Sequence, residues 1–100
     1  MPAYVISEVE ILDMEAAKMY MILAEPSILQ YGGKYLVRGA TPEVVEGEPT
    51  SKKMVVVVFP SMERAHEWYA SAEYADALQY RDKAIDRRLV FVDGVMPFSG

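Results

Sequence analysis

Cysteine is absent from this 100-residue chain, which removes disulfides, thiolate nucleophiles and cysteine-bearing metal sites together and suits a reducing compartment. Histidine is nearly absent too: His66 stands alone, between Ala65 and Glu67 on what the helical period makes a wet face. A metal site would have to be carboxylate-rich, and no inward histidine is available for a catalytic triad. No metal and no cofactor is therefore expected. Basic runs are missing as well. Ten Lys and Arg stand against 15 Asp and Glu, for a net charge of −5, so nucleic acid and anionic membrane are excluded as main partners by repulsion. The longest apolar run, Met54 to Pro60, is far too short to span a bilayer as a helix. The first residues, Met1-Pro2-Ala3-Tyr4-Val5-Ile6, carry no charged leader of the signal-peptide kind. These absences lead to the expectation of a cytoplasmic protein.

What is present is a hydrophobic fraction of 52% with 25% charged residues, the balance of a folded chain and not of a disordered one. At this length one domain over residues 1–100 is expected, with a core adequate but not generous. From Ala3 to Ile11 the sequence alternates, with Val5, Ser7, Val9 and Ile11 on one face and Tyr4, Ile6, Glu8 and Glu10 on the other, which is strand periodicity. Asp13 is placed to cap a helix, with Glu15 in its first turn. Ala17, Tyr20, Met21 and Ala24 make the inward stripe of that helix, whereas Met19 and Ile22 lie away from it. The methionines at 14, 19 and 21 read as adaptable packing. Pro26 predicts a kink or restart near Glu25.

Tyr31-Gly32-Gly33-Lys34 combines a helix stop with a strand start. Paired glycines invite a phosphate-loop reading, but phosphate-cradling glycines follow a strand and open a helix, and these do the reverse. Gly32 reads as the left-handed residue that ends the helix, and Gly33 as the swing into a second strand. Thr41-Pro42 interrupts that strand before Val44 and Val45, which marks it as an edge. Met54-Val55-Val56-Val57-Val58-Phe59 is apolar on both faces and reads as a central strand. Ser61 and Ser71 cap two further helical segments. The first buries Met62, Ala65, Trp68 and Tyr69; the second carries Tyr74, Leu78, Arg81 and Ile85 in one stripe, which places an arginine on a face expected to be buried. Leu89-Val90-Phe91-Val92 is the last strand, and Val95 to Gly100 a tail.

The order strand, helix, strand, strand, helix, strand is that of an α+β, ferredoxin-like βαββαβ fold with a four-stranded antiparallel sheet. Its helices cover one sheet face and nothing in the chain remains to cover the other, so a sheet-to-sheet homodimer closing an α/β barrel is expected. The segments Tyr31-Gly32-Gly33-Lys34-Tyr35-Leu36-Val37-Arg38-Gly39, Phe59-Pro60-Ser61, Trp68-Tyr69-Ala70-Ser71-Ala72-Glu73-Tyr74 and Leu89-Val90-Phe91-Val92-Asp93-Gly94-Val95 resemble a family of small bacterial proteins, a domain of unknown function in the dimeric α/β-barrel superfamily. The resemblance spans nearly the whole chain; Ala40 departs from it where a second glycine often follows the arginine. It implies a ferredoxin-like subunit and a dimer, and carries no catalytic residues. Superfamily relatives include cofactor-independent monooxygenases and isomerases.

Arg38 is the sharpest candidate for a site, since its planar fork suits a carboxylate or enolate; the competing reading pairs it with Glu8 or Glu10 at the sheet rim. Strict alternation puts Tyr35 and Arg38 on opposite faces. Arg81 with Tyr74 would form the opposite wall of a cleft between helices and sheet, or else an ion pair closing helix to sheet. Tyr4, Tyr35, Tyr74 and Trp68 are candidates for an aromatic lining, with ordinary packing as the competing reading for each. Glu8, mid-strand on the face expected to dimerise, is either paired or a base of raised pKa. Two functions follow: a cleft for a small acidic, aromatic or phenolic molecule, in an oxygenase- or isomerase-like enzyme or a simple binder; or a non-catalytic dimeric binding or regulatory module whose arginines serve structure.

Overall fold

A computed structural model describes residues 1–95; the end of the expected tail, residues 96–100, lies outside them. The elements run β1 (Ala3–Ile11), α1 (Met14–Gln30), β2 (Lys34–Ala40), β3 (Lys53–Phe59), α2 (Met62–Tyr69), α3 (Ala72–Ala84) and β4 (Ile85–Asp93). All strand pairs are antiparallel and the strand order is β2-β3-β1-β4. This is the ferredoxin-like arrangement, with β1 and the valine-rich β3 central and β2 and β4 as edges. Val44 and Val45 form no continuation of β2, which ends at Ala40 before Pro42.

Local chemistry sets the boundaries. The Asp13 carboxylate accepts from the Ala16 amide at 3.0 Å, the Ser61 hydroxyl from the Arg64 amide at 3.1 Å, and the Ser71 hydroxyl from the Tyr74 amide at 3.1 Å. Each satisfies an N-terminal amide that the helix itself leaves unpaired. Helix α1 ends in a Schellman arrangement: Gly33 N–H donates to the Ile28 carbonyl at 2.9 Å, and Gly32 N–H to the Leu29 carbonyl at 3.1 Å. Gly32 takes φ +84° to allow it. Gly33 matters for a different reason, because a Cβ there would stand 2.7 Å from Ile28 Cγ2 and 2.8 Å from Phe59 Cε1. The predicted restart at Pro26 does not occur; α1 is continuous through it. Only the Pro26 N–H is missing, and at the wet, exposed side of the last turns the unpaired carbonyl can face water.

All the helices lie on the sheet face that carries Ala3, Val5, Ser7, Val57 and Phe59. The core there is aromatic: the Trp68 ring sits 4.1 Å from that of Tyr74 and 5.3 Å from that of Phe59, all three nearly or fully buried. Trp68 Nε1–H donates to Ser27 Oγ at 3.1 Å, and Ser27 donates in turn to the Ala24 carbonyl. The opposite face carries Tyr4, Ile6, Val56, Val58 and Val90, half-buried by their neighbours and covered by no element among the described residues.

Candidate functional site

The strand register lays out the floor of a pocket on the helix side of the sheet. One row across the four strands reads Tyr35, Val57, Val5, Phe91; the next reads Arg38, Val55, Ser7, Leu89; the third, Lys53, Val9, Arg87. Helix α1 roofs this floor with small residues, Ala17 and Ala24, beside Tyr20 and Met21. Ala17 and Ala24 leave unfilled the space that larger side chains would have occupied beneath the helix, and a pocket of about 250 Å³ remains. An apolar cavity of roughly 150 Å³ accepts benzene, so this one has room for a single ring with substituents. Its lining includes Arg38, Lys53 and Arg87 and no acidic residue, in a chain whose net charge is −5.

On the β4 side, Arg87 is the centre of the polar arrangement. Its guanidinium donates to the Tyr20 hydroxyl oxygen at 2.9 Å and to that of Tyr74 at 2.7 Å, and the two hydroxyls contact each other. The direction of the last bond follows from proton counting. Tyr74 is fully buried, Arg87 can only donate, and among the described residues the other oxygen bonded to that of Tyr74 is that of Tyr20. If Tyr74 did not donate, a buried O–H would go unsatisfied at a cost of about 1–3 kcal/mol. Tyr74 therefore donates to Tyr20. The Tyr20 oxygen then accepts from both Arg87 and Tyr74, and its own proton is left for the pocket that Tyr20 lines. Burial foremost, with Tyr20 beside it, keeps the Tyr74 phenol protonated far above its ordinary range against the pull of Arg87. For Arg87, burial works against the charge, but the two tyrosine oxygens outweigh it and hold the guanidinium protonated. Among the described residues no carboxylate pairs with Arg87.

On the β2 side, a bulge decides the geometry. The register slips between Tyr35 and Val37 and again between Arg38 and Ala40, so that Tyr35 faces Val57 and Arg38 faces Val55. Both side chains thus point to the helix side, and the expected opposition of Tyr35 and Arg38 is corrected: one extra residue at the bulge restores the same face. The Arg38 guanidinium lies 4.5 Å from the Tyr35 ring centre and binds the Glu25 carboxylate through both terminal nitrogens, at 2.6 and 3.2 Å. Its partner is therefore Glu25 of α1, and not Glu8 or Glu10, which lie on the other face of β1. The Arg38 hydrogen bond holds the Glu25 carboxyl below its usual value, and burial raises the Tyr35 phenol.

The remaining sequence candidates are dispersed. Arg81 is partly exposed, bonded to its neighbour Asp82 at 3.2 Å and to the Tyr69 hydroxyl at 3.4 Å, away from the pocket; the helix buries Tyr74, Ala77 and Ala84 instead. Trp68 lines the pocket, but its N–H is committed to Ser27. Tyr74 stands behind the lining. Tyr4 belongs to the open sheet face and packs beside Gly94. Glu8 stands opposite Arg88 in the β1–β4 register. His66 is exposed, its ring 5.2 Å from that of Phe91 and tilted to it by 52°. Tyr20, Ser7 and Arg87 were not singled out by the sequence. A signal existed for Arg87: with Val9, it falls on the same side of the alternation as Leu89 and Phe91, the inward residues of the last strand. Among the described residues no three His, Asp or Glu side chains are grouped to hold a metal ion, and no helix is long and apolar enough to cross a membrane.

Residues 2–95 match DUF1330, a domain of unknown function. A protein of unknown function from Rhodopseudomonas palustris superposes with a TM-score of 0.78 at 20% identity, over 96% of this chain and 84% of that one. A candidate antibiotic biosynthesis monooxygenase from Nitrosomonas europaea gives a TM-score of 0.60 at 16% identity, over 96% of this chain and 100% of that one. A protein from Bacteroides fragilis, described as dimeric, of unknown function and ferredoxin-like in fold, gives 0.55 at 8% identity, over 93% of this chain and 96% of that one. At these identities the likeness is one of fold. Among curated proteins none matches.

Proposed function

The chain belongs to the DUF1330 family, and from the chemistry of its pocket we propose that it binds a small organic anion with an aromatic or branched apolar body between α1 and the sheet. The observation that carries this reading is the half-buried guanidinium of Arg87, which is bonded to two neutral hydroxyls and, among the described residues, to no carboxylate. An unpaired cation in an apolar wall is costly, and an anionic ligand supplies the missing partner. The lining reinforces it, since an overall acidic protein that lines one cavity with three cations and no acid, only Arg38 being paired with a carboxylate beside it, focuses positive potential there.

Two copies stacked through their bare sheet faces complete the reading, as homodimers with one pocket per subunit. The uncovered apolar residues of that face support the pairing, as does the neighbour described as dimeric. A sedimentation measurement showing a folded monomer at micromolar concentration would overturn it. The neighbour described as a candidate monooxygenase favours, as a second reading, a cofactor-independent oxygenase- or isomerase-like reaction on the bound anion. A non-catalytic binding or regulatory dimer would use the same pocket without turnover.

The test is thermal stability at low salt in a panel of aromatic and keto acids, each matched with its neutral amide. A ligand at a hundred times its Kd adds about 2.7 kcal/mol, which moves the midpoint of a domain this size by about 10 °C or more. Stabilisation by acids and not by amides is expected. Equal responses to both, or none to either, sink the proposal.

A further inference from the structure

The proton count at Arg87 says more about the ligand than its sign. At this end the pocket is lined by the Tyr20 hydroxyl, whose oxygen receives two hydrogen bonds from behind, from Arg87 and Tyr74, and, one strand over, by Ser7. Accepting two bonds polarises the Tyr20 O–H and makes it a stronger donor. Around it the walls are Ala17, Val9, Ile85 and Leu89, which cannot hydrogen-bond. A carboxylate placed here sets one oxygen on Tyr20 and Arg87 and turns the other toward these walls, with only Ser7 to reach for, so it binds more weakly than a phenolate of the same body. A phenolate or enolate places one charged oxygen on Tyr20 and Arg87 and its ring or chain against the apolar walls.

We propose that the pocket takes a phenol or an enol and ionises it on binding, holding the resulting oxyanion on the Tyr20 hydroxyl beside Arg87. This rests on the anion-binding reading and adds the class of ligand and its change of state. The ligand O–H bond breaks, its electron pair stays on the oxygen, and the proton goes to bulk water as the ligand enters, so that the bound species is the oxyanion. The titratable and charged groups around the ligand are Tyr20 from α1, Tyr35 and Arg38 from β2, Lys53 from β3 and Arg87 from β4, with Tyr74 of α3 behind Tyr20 and none from β1. Every charge on that lining is positive, and the one nearby carboxylate, Glu25, is occupied by Arg38. No lining residue is a base strong enough to keep the proton, so it is released and not stored. Tyr20 touches the ligand; Tyr74 is a positioning residue that acts through Tyr20.

The experiment adds the protein to 4-nitrophenol in buffer acid enough to keep the free phenol protonated, and reads the yellow phenolate band together with proton release into weakly buffered solution. A saturable band is expected, with the ionisation equilibrium of the bound phenol shifted at least about tenfold. Benzoate, which arrives already ionised, is titrated in parallel by its effect on thermal stability. Tyr20→Phe is expected to reduce the ionisation shift severalfold, and Tyr74→Phe to reduce it as well although that ring does not reach the ligand; a packing role alone would leave the equilibrium of the bound phenol unchanged. Near-ultraviolet circular dichroism establishes that each variant is folded. Binding of 4-nitrophenol in its protonated form overturns the inference, as does an equal phenolate band in the wild type and Tyr20→Phe. Stabilisation by benzoate with no phenolate band removes this inference alone; failure of both ligands removes the anion site with it.

Discussion

Arg38 and Arg87 stand on opposite edge strands of one sheet, on the order of 14 Å apart by strand spacing, and both border the same pocket. They differ in everything that decides what an arginine can do. Arg38 is 54% exposed and doubly bonded to Glu25, so its charge is met both by water and by a carboxylate. Arg87 is half-buried and bonded to two neutral phenols, so its charge is met by less water and, among the described residues, by no carboxylate. The lesson is that a conspicuous residue type is not a site: the free energy available to a ligand comes from the cation that the protein has left without a counter-charge.

The largest effect expected from breaking this contrast is at Arg87. Replacing it with methionine should weaken binding of an aromatic acid by about 2–5 kcal/mol, on the order of thirtyfold or more in Kd. The same substitution should leave the ligand-free protein equally stable or raise its melting point, because a half-buried charge without a carboxylate partner is removed while Tyr20 and Tyr74 keep their mutual bond. Calorimetric titration and a melting curve check the two halves. A variant that binds as before would show that Arg87 is structural.

Next in size is Gly33→Ala, which acts on the hinge that launches β2 and has no part in charge. The added methyl meets Ile28 Cγ2 and Phe59 Cε1 at well under contact distance, and Phe59 is locked in the aromatic core. Overpacking of this kind costs about 1–3 kcal/mol, or roughly 5–20 °C in melting temperature. If the melting temperature hardly moves, the close helix-to-strand approach is not holding the core.

Why one of these regions was readable in the sequence and the other was not has a physical answer. Caps, helix stops and strand alternation are local, so Asp13, Ser61, Ser71 and Gly32 could be placed from neighbouring residues, and the element order then dictated the topology. The β2 bulge is not local in this sense. Nothing in Lys34-Tyr35-Leu36-Val37-Arg38 announces the extra residue, and without it strict alternation sent Tyr35 and Arg38 to opposite faces. The pocket is less local still. It exists because Ala17 and Ala24 of α1 pass over Ser7 and Val9 of β1, and because Tyr20 and Tyr74, 54 residues apart, meet at Arg87. Arg81 illustrates the reverse error: a helical stripe of Tyr74, Leu78 and Arg81 looked inward, but a long side chain at the edge of a stripe swings to water, where Asp82 and Tyr69 meet it.

The buried phenol offers a smaller effect, read through pH. The Tyr74 proton is held in the folded state above the ordinary value of 10.0 by burial. The stability that goes with it is whole below about pH 10 and is lost as pH rises beyond, where the unfolded chain ionises this tyrosine and the folded one resists. Tyr74→Phe should therefore be less stable than the parent near neutrality, by about 1–2 kcal/mol for the lost bonds to Tyr20 and Arg87, and should lose stability less steeply in alkali. Urea unfolding across the alkaline range measures the two slopes; parallel curves would mean that Tyr74 ionises as readily folded as unfolded.

The smallest effect should come from Arg38→Met, the change that the sequence alone would have ranked first. The Arg38 hydrogen bond lowers the Glu25 carboxyl below its usual 4.5, so the pair contributes above that pH and its contribution fades as pH falls through the lowered value. Both groups are open to solvent, where long side chains lose freedom on pairing and salt screens the attraction. The melting temperature should shift by only about a degree at neutral pH, with the difference vanishing in acid and in high salt. Binding of an aromatic acid should weaken by no more than about threefold, because Arg38 would have to leave Glu25 to engage a ligand and the exchange of one carboxylate for another gains little. Titration of this variant beside Arg87→Met decides the matter: comparable losses in the two would mean that the paired, exposed arginine releases Glu25 when a ligand arrives, and the contrast between the two edges of the sheet would then be one of timing and not of strength.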